Sequence, residues 1–143
     1  MFRVDQIDHV ELFVPDPYQA ASWYQRVFGL EIMREMEHWA QRGPLMISSD
    51  GGSTKLALFR GKPARAPKTA AFRRLAFRVD GATFVEFLDR VEELDLRDET
   101  GSRLDTLRVI DHQEAVSVYF QDPWGHRLEL TTYEPERVTS RRE

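Results

Sequence analysis

The sequence predicts an α+β fold of two tandem βαβββ modules. Three observations carry this reading. Several segments alternate apolar and polar residues with period two, as half-buried strands do. Two segments instead carry apolar stripes at i, i+3, i+4 spacing. The order of these elements then recurs on either side of a Pro-containing stretch near the middle of the 143-residue chain.

Residues Ile7 to Val14 alternate, with Val10, Leu12 and Val14 on one face and His9, Glu11 and Phe13 on the other. Pro15-Asp16-Pro17 ends this strand. From Tyr18 to Phe28 the pattern is helical (Ala20, Trp23, Tyr24, Val27, Phe28), and Gly29 stands where a C-cap belongs. Leu30 to His38 reads as a charged edge strand, Leu45 to Ser49 as a strand, Asp50-Gly51-Gly52-Ser53 as a turn, and Lys55 to Arg60 as a fourth strand. Gly61-Lys62-Pro63-Ala64-Arg65-Ala66-Pro67-Lys68 reads as an extended linker.

Beyond it the order repeats. Arg73 to Val79 alternates, Asp80-Gly81 breaks the strand, and Thr83 to Leu94 is helical through Phe84, Phe87, Leu88 and Val91. Thr106 to Ile110, Ala115 to Gln121 and Arg127 to Tyr133 are three strands, and the tail from Glu134 reads as loose. The boundaries are module one at about 5–61, linker at about 62–70 and module two at about 71–134, within a single domain spanning 1–143.

This is an internal duplication. His9-Val10-Glu11-Leu12-Phe13-Val14 corresponds to Arg74-Leu75-Ala76-Phe77-Arg78-Val79, and Leu56-Ala57-Leu58 to Leu128-Glu129-Leu130. Strand parity adds an inference. One face of each strong strand is apolar and must pack under the helices. The other carries His9, Glu11, Phe13, Arg74, Arg78, Ser117, Tyr119, Arg127 and Glu129, a set too polar for a dry core.

Composition excludes several functions. Hydrophobic residues make up 41% and charged residues 31%, with a net charge of −4, which argues against a nucleic-acid partner. The chain has no cysteine, so thiolate nucleophiles, disulfides and zinc-thiolate sites are absent. No apolar run reaches the ~20 residues of a membrane span, and Met1-Phe2-Arg3-Val4-Asp5 lacks a signal-peptide apolar region, so a cytoplasmic location is expected.

The chain resembles the vicinal oxygen chelate superfamily, which includes glyoxalase I, extradiol dioxygenases, fosfomycin-resistance enzymes and bleomycin-resistance proteins. The resemblance runs from Ile7 to about Tyr133. It is carried by Asp8-His9-Val10, by Trp23-Tyr24 with Phe28-Gly29-Leu30, by Leu75-Ala76-Phe77, and most specifically by Tyr119-Phe120-Gln121-Asp122-Pro123-Trp124-Gly125-His126-Arg127-Leu128-Glu129-Leu130.

The resemblance implies that the two modules form a cup-like mixed β-barrel with helices outside, and it implies a small-molecule ligand, a homodimer, and a divalent metal (Fe, Mn, Zn or Ni) held by His from the first strand, His from the first strand of module two, and Glu from the last. This chain offers His9 and Glu129 as metal ligands or catalytic acid/base groups, and has Arg74 at the second His position and Ala57 at a fourth position used by glyoxalase-like members. Arginine stays protonated and cannot ligate a metal. Arg74 would instead pair with Glu129 or Glu11, or fork onto a ligand's carboxylate or phosphate. Tyr119, Ser117, Phe13 and Glu11 are the further candidate ligand contacts. His38, His112 and His126 lie in loops or strand ends and are read as structural, with replacement of a missing ligand as the alternative.

The expected function is a small-molecule-binding protein with a degenerate metal site. The alternative is a metal-dependent enzyme, extradiol-dioxygenase-like or glyoxalase-like, acting on a small oxygenated substrate. A metal-free enzyme using His9 and Glu129 beside Arg74 is a third reading.

Overall fold

The computed structural model describes residues 1–63 and 70–142. The chain divides into two compact units, Met1–Lys68 and Thr69–Glu143. Most of the predicted linker lies outside the described residues.

Module one runs β1 (His9–Val14), α1 (Pro17–Phe28), β2 (Glu31–Ile32), β3 (Leu45–Ser48) and β4 (Lys55–Arg60). Module two runs β5 (Leu75–Arg78), α2 (Gly81–Asp89), β6 (Ile110–Asp111), β7 (Val116–Gln121) and β8 (Arg127–Thr132), followed by α3 (Pro135–Arg142). The sheet orders are β1-β4-β3-β2 and β5-β8-β7-β6. In each module the first strand runs parallel to the last, and the remaining pairs are antiparallel. The duplication therefore holds at the level of strand order and direction. Among the described residues the ladders form two four-stranded mixed sheets rather than one closed barrel, each ending at its own outer strands.

Local chemistry sets the helices. Asp16 caps α1 by accepting from the amides of Tyr18 and Gln19, with Pro17 just inside the start. The helix ends at Gly29, whose φ of 69° lies in the left-handed region, and whose N–H bonds the Gln25 carbonyl at 2.9 Å. Its stripe of Ala20, Ala21, Trp23, Tyr24 and Val27 is buried. In module two Asp80 caps α2 through the Thr83 amide at 2.8 Å, and Phe84 and Phe87 are buried. Phe87 packs on Phe120 with ring centroids 5.5 Å apart, which joins the helix to the apolar face of Val116, Val118, Phe120, Leu128 and Leu130.

Four elements differ from the sequence reading. The strand expected over Leu30 to His38 is only Glu31–Ile32, and Arg34–Gln41 forms 3-10 turns. That run has no β-branched residue, and Arg34 pairs with Glu37 at 2.7 Å one turn on, a local bond that an extended strand would break. The strand expected over Thr106 to Ile110 shrinks to Ile110–Asp111 because residue 97 instead bridges Gln121 and Arg103. The helix expected to Leu94 stops at Asp89 and continues as a 3-10 turn over Val91–Glu93. The tail expected to be loose forms α3: Glu134 accepts from the Gly81 amide at 2.9 Å, and Val138 is buried. No helix among the described residues is long and apolar enough to cross a membrane.

Candidate functional site

The two modules present their mixed faces differently. In module one, β1 carries His9, Glu11 and Phe13 on that face, registered against Lys55, Ala57 and Phe59 of β4. His9 is bracketed by carboxylates: Nδ1 lies 2.8 Å from Asp8 and Nε2 lies 3.0 Å from Glu11. When protonated, the imidazolium donates from both nitrogens to these carboxylates. The bond to Asp8, followed by that to Glu11, raises the His9 pKa above its ordinary 6.5. The same bond to His9, with a second from Lys55, lowers Asp8 below 3.8. Lys55 is buried, and its Nζ bonds Asp8 at 3.0 Å and the Gly52 carbonyl at 2.6 Å. Phe13 is 46% exposed and meets Phe59 edge-on at 6.4 Å. Ala57 lies in an apolar cluster with Met33 and Met46, against which Met36 and Phe59 pack.

In module two, Glu129 of β8 is registered with Ala76 on one side and Tyr119 on the other. The buried Ser117 hydroxyl donates to Glu129 Oε2 at 2.8 Å. Thr131 lies 2.9 Å from the same hydroxyl and itself bonds the Val116 carbonyl at 3.1 Å. Arg74 precedes β5 and lays its guanidinium over the Tyr119 ring, with Cζ 4.3 Å from the ring centroid. Its Nε is buried and, among the described residues, has no hydrogen-bond partner. The Tyr119 hydroxyl in turn lies 2.8 Å from His112 Nε2.

The expected Arg74–Glu129 pair is therefore not made among the described residues. Glu129 is satisfied through Ser117, while Arg74 stacks on an aromatic face, an attraction of about 0.5–2 kcal/mol. Glu11, within module one, lies 3.0 Å from His9 Nε2.

The other histidines have local partners. His126 Nδ1 lies 2.6 Å from Asp122, His112 meets Tyr119, and His38 packs on Trp39 at 6.0 Å. Among the described residues no three His, Asp or Glu side chains are placed to hold a metal ion.

Sequence reasoning assigned no role to three groups. Lys55 is signalled only by its register with His9 across a parallel pair. Asp122 reads as part of a turn, yet it is a buried carboxylate that accepts from the amides of Trp124 and His126 at 2.9 Å each and so fixes the β7–β8 connection. Arg108 and Arg127 line a cavity of about 430 Å³ with Arg74 and Tyr119. Parity puts Arg127 on the mixed face, but Arg108 lies in a loop with no periodicity to mark it.

Two βαβββ modules with parallel first and last strands, and a Glu on the last strand of the second, define a duplicated glyoxalase-type fold. The chain belongs to the Glyoxalase/Bleomycin resistance protein/Dioxygenase superfamily, whose model matches residues 6–130. Among solved structures it is similar to the fosfomycin resistance protein FosX from Mesorhizobium loti (22% identity, 91% of this chain and 93% of that chain, TM-score 0.62). It is also similar to a glyoxalase family protein from Bacillus anthracis (23% identity, 92% and 98%, TM-score 0.60). A third is a mutant of FosX from Listeria monocytogenes complexed with Mn(II) and 1S,2S-dihydroxypropylphosphonic acid (17% identity, 99% and 100%, TM-score 0.63). At these identities the likeness establishes the fold alone. No curated protein sequence matches the chain.

Proposed function

We propose that this chain is a small-molecule-binding member of its superfamily in which the metal site has degenerated. The observation that carries the reading is Arg74. It stands where the resemblance calls for a second His ligand, and its guanidinium, which cannot ligate, is held against Tyr119. The donor chemistry elsewhere agrees. His9 directs both nitrogens to carboxylates, Ala57 offers no donor, and Glu129 is engaged by Ser117. The residues present do not fit the divalent Fe, Mn, Zn or Ni site the family implies.

In module two the proposal assigns ligand contact to Arg74, Tyr119 and Ser117. In module one Glu11 and Phe13 are proposed from strand parity, and His9 and a homodimer from the resemblance. A second reading, a metal-dependent enzyme of the glyoxalase or dioxygenase kind, draws on His9 and Glu129 occupying two of the family's ligand positions, and on the Mn(II) complex of the similar FosX protein.

The experiment is metal analysis of protein purified without a metal-affinity tag, on wild type and His9→Ala. Stoichiometric Fe, Mn, Zn or Ni that His9→Ala abolishes would overturn the binding-protein reading in favour of the enzyme.

A further inference from the structure

We infer that the cavity of module two is a binding site for an organic oxyanion, a carboxylate or phosphate group carried on an apolar body. The inference deepens the reading above and rests on it for Arg74, but its other arginines lie outside the family's ligand positions.

The cavity of about 430 Å³ is walled by the 97–110 segment and the ends of β7 and β8, within the ~300–1,000 Å³ range of small-molecule sites. Four arginines line it, Arg74, Arg97, Arg108 and Arg127, against two acids, Asp98 and Glu99. Their partners sort them. Arg97 is spent on structure: its Nε bonds Asp95 at 2.7 Å and its Nη1 the Gly101 carbonyl at 2.9 Å. Asp98 is spent as well, since Oδ1 accepts from the Thr100 hydroxyl and amide and from the Ser102 amide. Arg74, Arg108 and Arg127 have no carboxylate partner among the described residues.

Arg74 is the telling member of this group. Its Nε is buried and, among the described residues, has no hydrogen-bond partner. A buried donor left unmade is costly and rare in folded proteins. Stacking on Tyr119 fixes the plane of the guanidinium, and Arg74 is among the residues that line the cavity. Tyr119 is itself held by His112, so the stack is anchored. Arg108 and Arg127 are exposed, as residues at a cavity mouth would be. Leu104, Leu107, Ile110, Phe120 and Leu128 make up the apolar part of the wall. A carboxylate or phosphate offering two oxygens matches the arginine fork, and an apolar body matches the rest. A bare inorganic anion would leave that wall uncovered.

The test is calorimetric titration of the full chain with benzoate, phenyl phosphate, inorganic phosphate and the neutral benzamide, at low and high salt. Benzoate or phenyl phosphate should bind at least about tenfold more tightly than benzamide, and the gap should narrow with salt. Whichever of the two binds more tightly identifies the oxyanion. Inorganic phosphate should bind more weakly than phenyl phosphate. Arg108→Gln and Arg127→Gln should each weaken the organic anion about tenfold and leave benzamide unchanged, with circular dichroism confirming that the variants are folded. Arg127→Lys should recover part of the loss, because it restores charge without the fork. Equal binding of benzamide and benzoate, or full affinity in both glutamine variants, would overturn the inference. A bound metal found alongside arginine-dependent anion binding would instead sink only the metal-free reading.

Discussion

The two modules share a strand order, yet their equivalent faces have opposite characters. Glu11 and Ala57 form a register pair in module one, and Ala76 and Glu129 form the corresponding pair in module two. The carboxylate has changed strand. In module one it serves His9; in module two it serves Ser117. The segment after the helix differs as well. Residues 34–41 fold into 3-10 turns, and Met33 and Met36 close over Met46, Ala57 and Phe59. Residues 97–110 instead wall an arginine-lined cavity. A duplicated scaffold has thus kept one half filled with apolar side chains and the other half open. The lesson is that strand order is set by patterning both halves share, whereas the site depends on the connecting segments, where they differ.

Stability measurements can break this comparison, beginning with the turns. Asp122 is buried and satisfies two amides and His126, so Asp122→Ala should cost about 3 kcal/mol in urea denaturation. Its module-one counterpart Asp50 is exposed and accepts from Thr54 and Ser48, so Asp50→Ala should cost less than half as much. Equal losses would contradict the contrast between the turns. Met46→Ala removes part of the module-one plug and should cost about 2–4 kcal/mol. Arg127→Gln at the open cavity should change stability by no more than about 0.5 kcal/mol. A large loss there would mean that the arginine holds the fold rather than a ligand.

A smaller, pH-dependent effect belongs to His9. Its pKa is raised in the folded chain, so its bonds to Asp8 and Glu11 add stability that is fully present below about pH 6.5 and lost as pH rises through the raised value. Asp8 is lowered, so its share is present above about pH 4 and lost as pH falls through that lowered value. The wild-type advantage over His9→Gln in melting temperature should therefore be greatest between about pH 4 and 6.5 and shrink toward alkaline pH. Because the groups are exposed, solvent screening keeps the effect small. An advantage that is flat with pH would mean that His9 is not the imidazolium described.

Much of this was legible in residues. Alternation in Leu128-Glu129-Leu130 and the helical stripes through Trp23 and Phe84 carry the duplicated fold, because burial on one face imposes period two or 3.6 whatever the tertiary contacts. The partners of site residues were not legible. Arg74 and Glu129 share a face by parity, but which of several neighbours within reach each side chain bonds is decided by rotamer and local competition. Ser117 takes Glu129 and Tyr119 takes Arg74. The charged run after Leu30 misled for a related reason: local i,i+3 pairing of Arg34 with Glu37 outweighs weak strand propensity.

The central claim is that Arg74 has displaced a metal ligand, and titration of divalent Mn, Fe, Zn and Ni into wild type and Arg74→His tests it most directly. Wild type should show no stoichiometric binding, and Arg74→His should gain an affinity that is lost again when His9→Ala is added. One tightly held metal per wild-type chain, unaffected by Arg74→His, would contradict it.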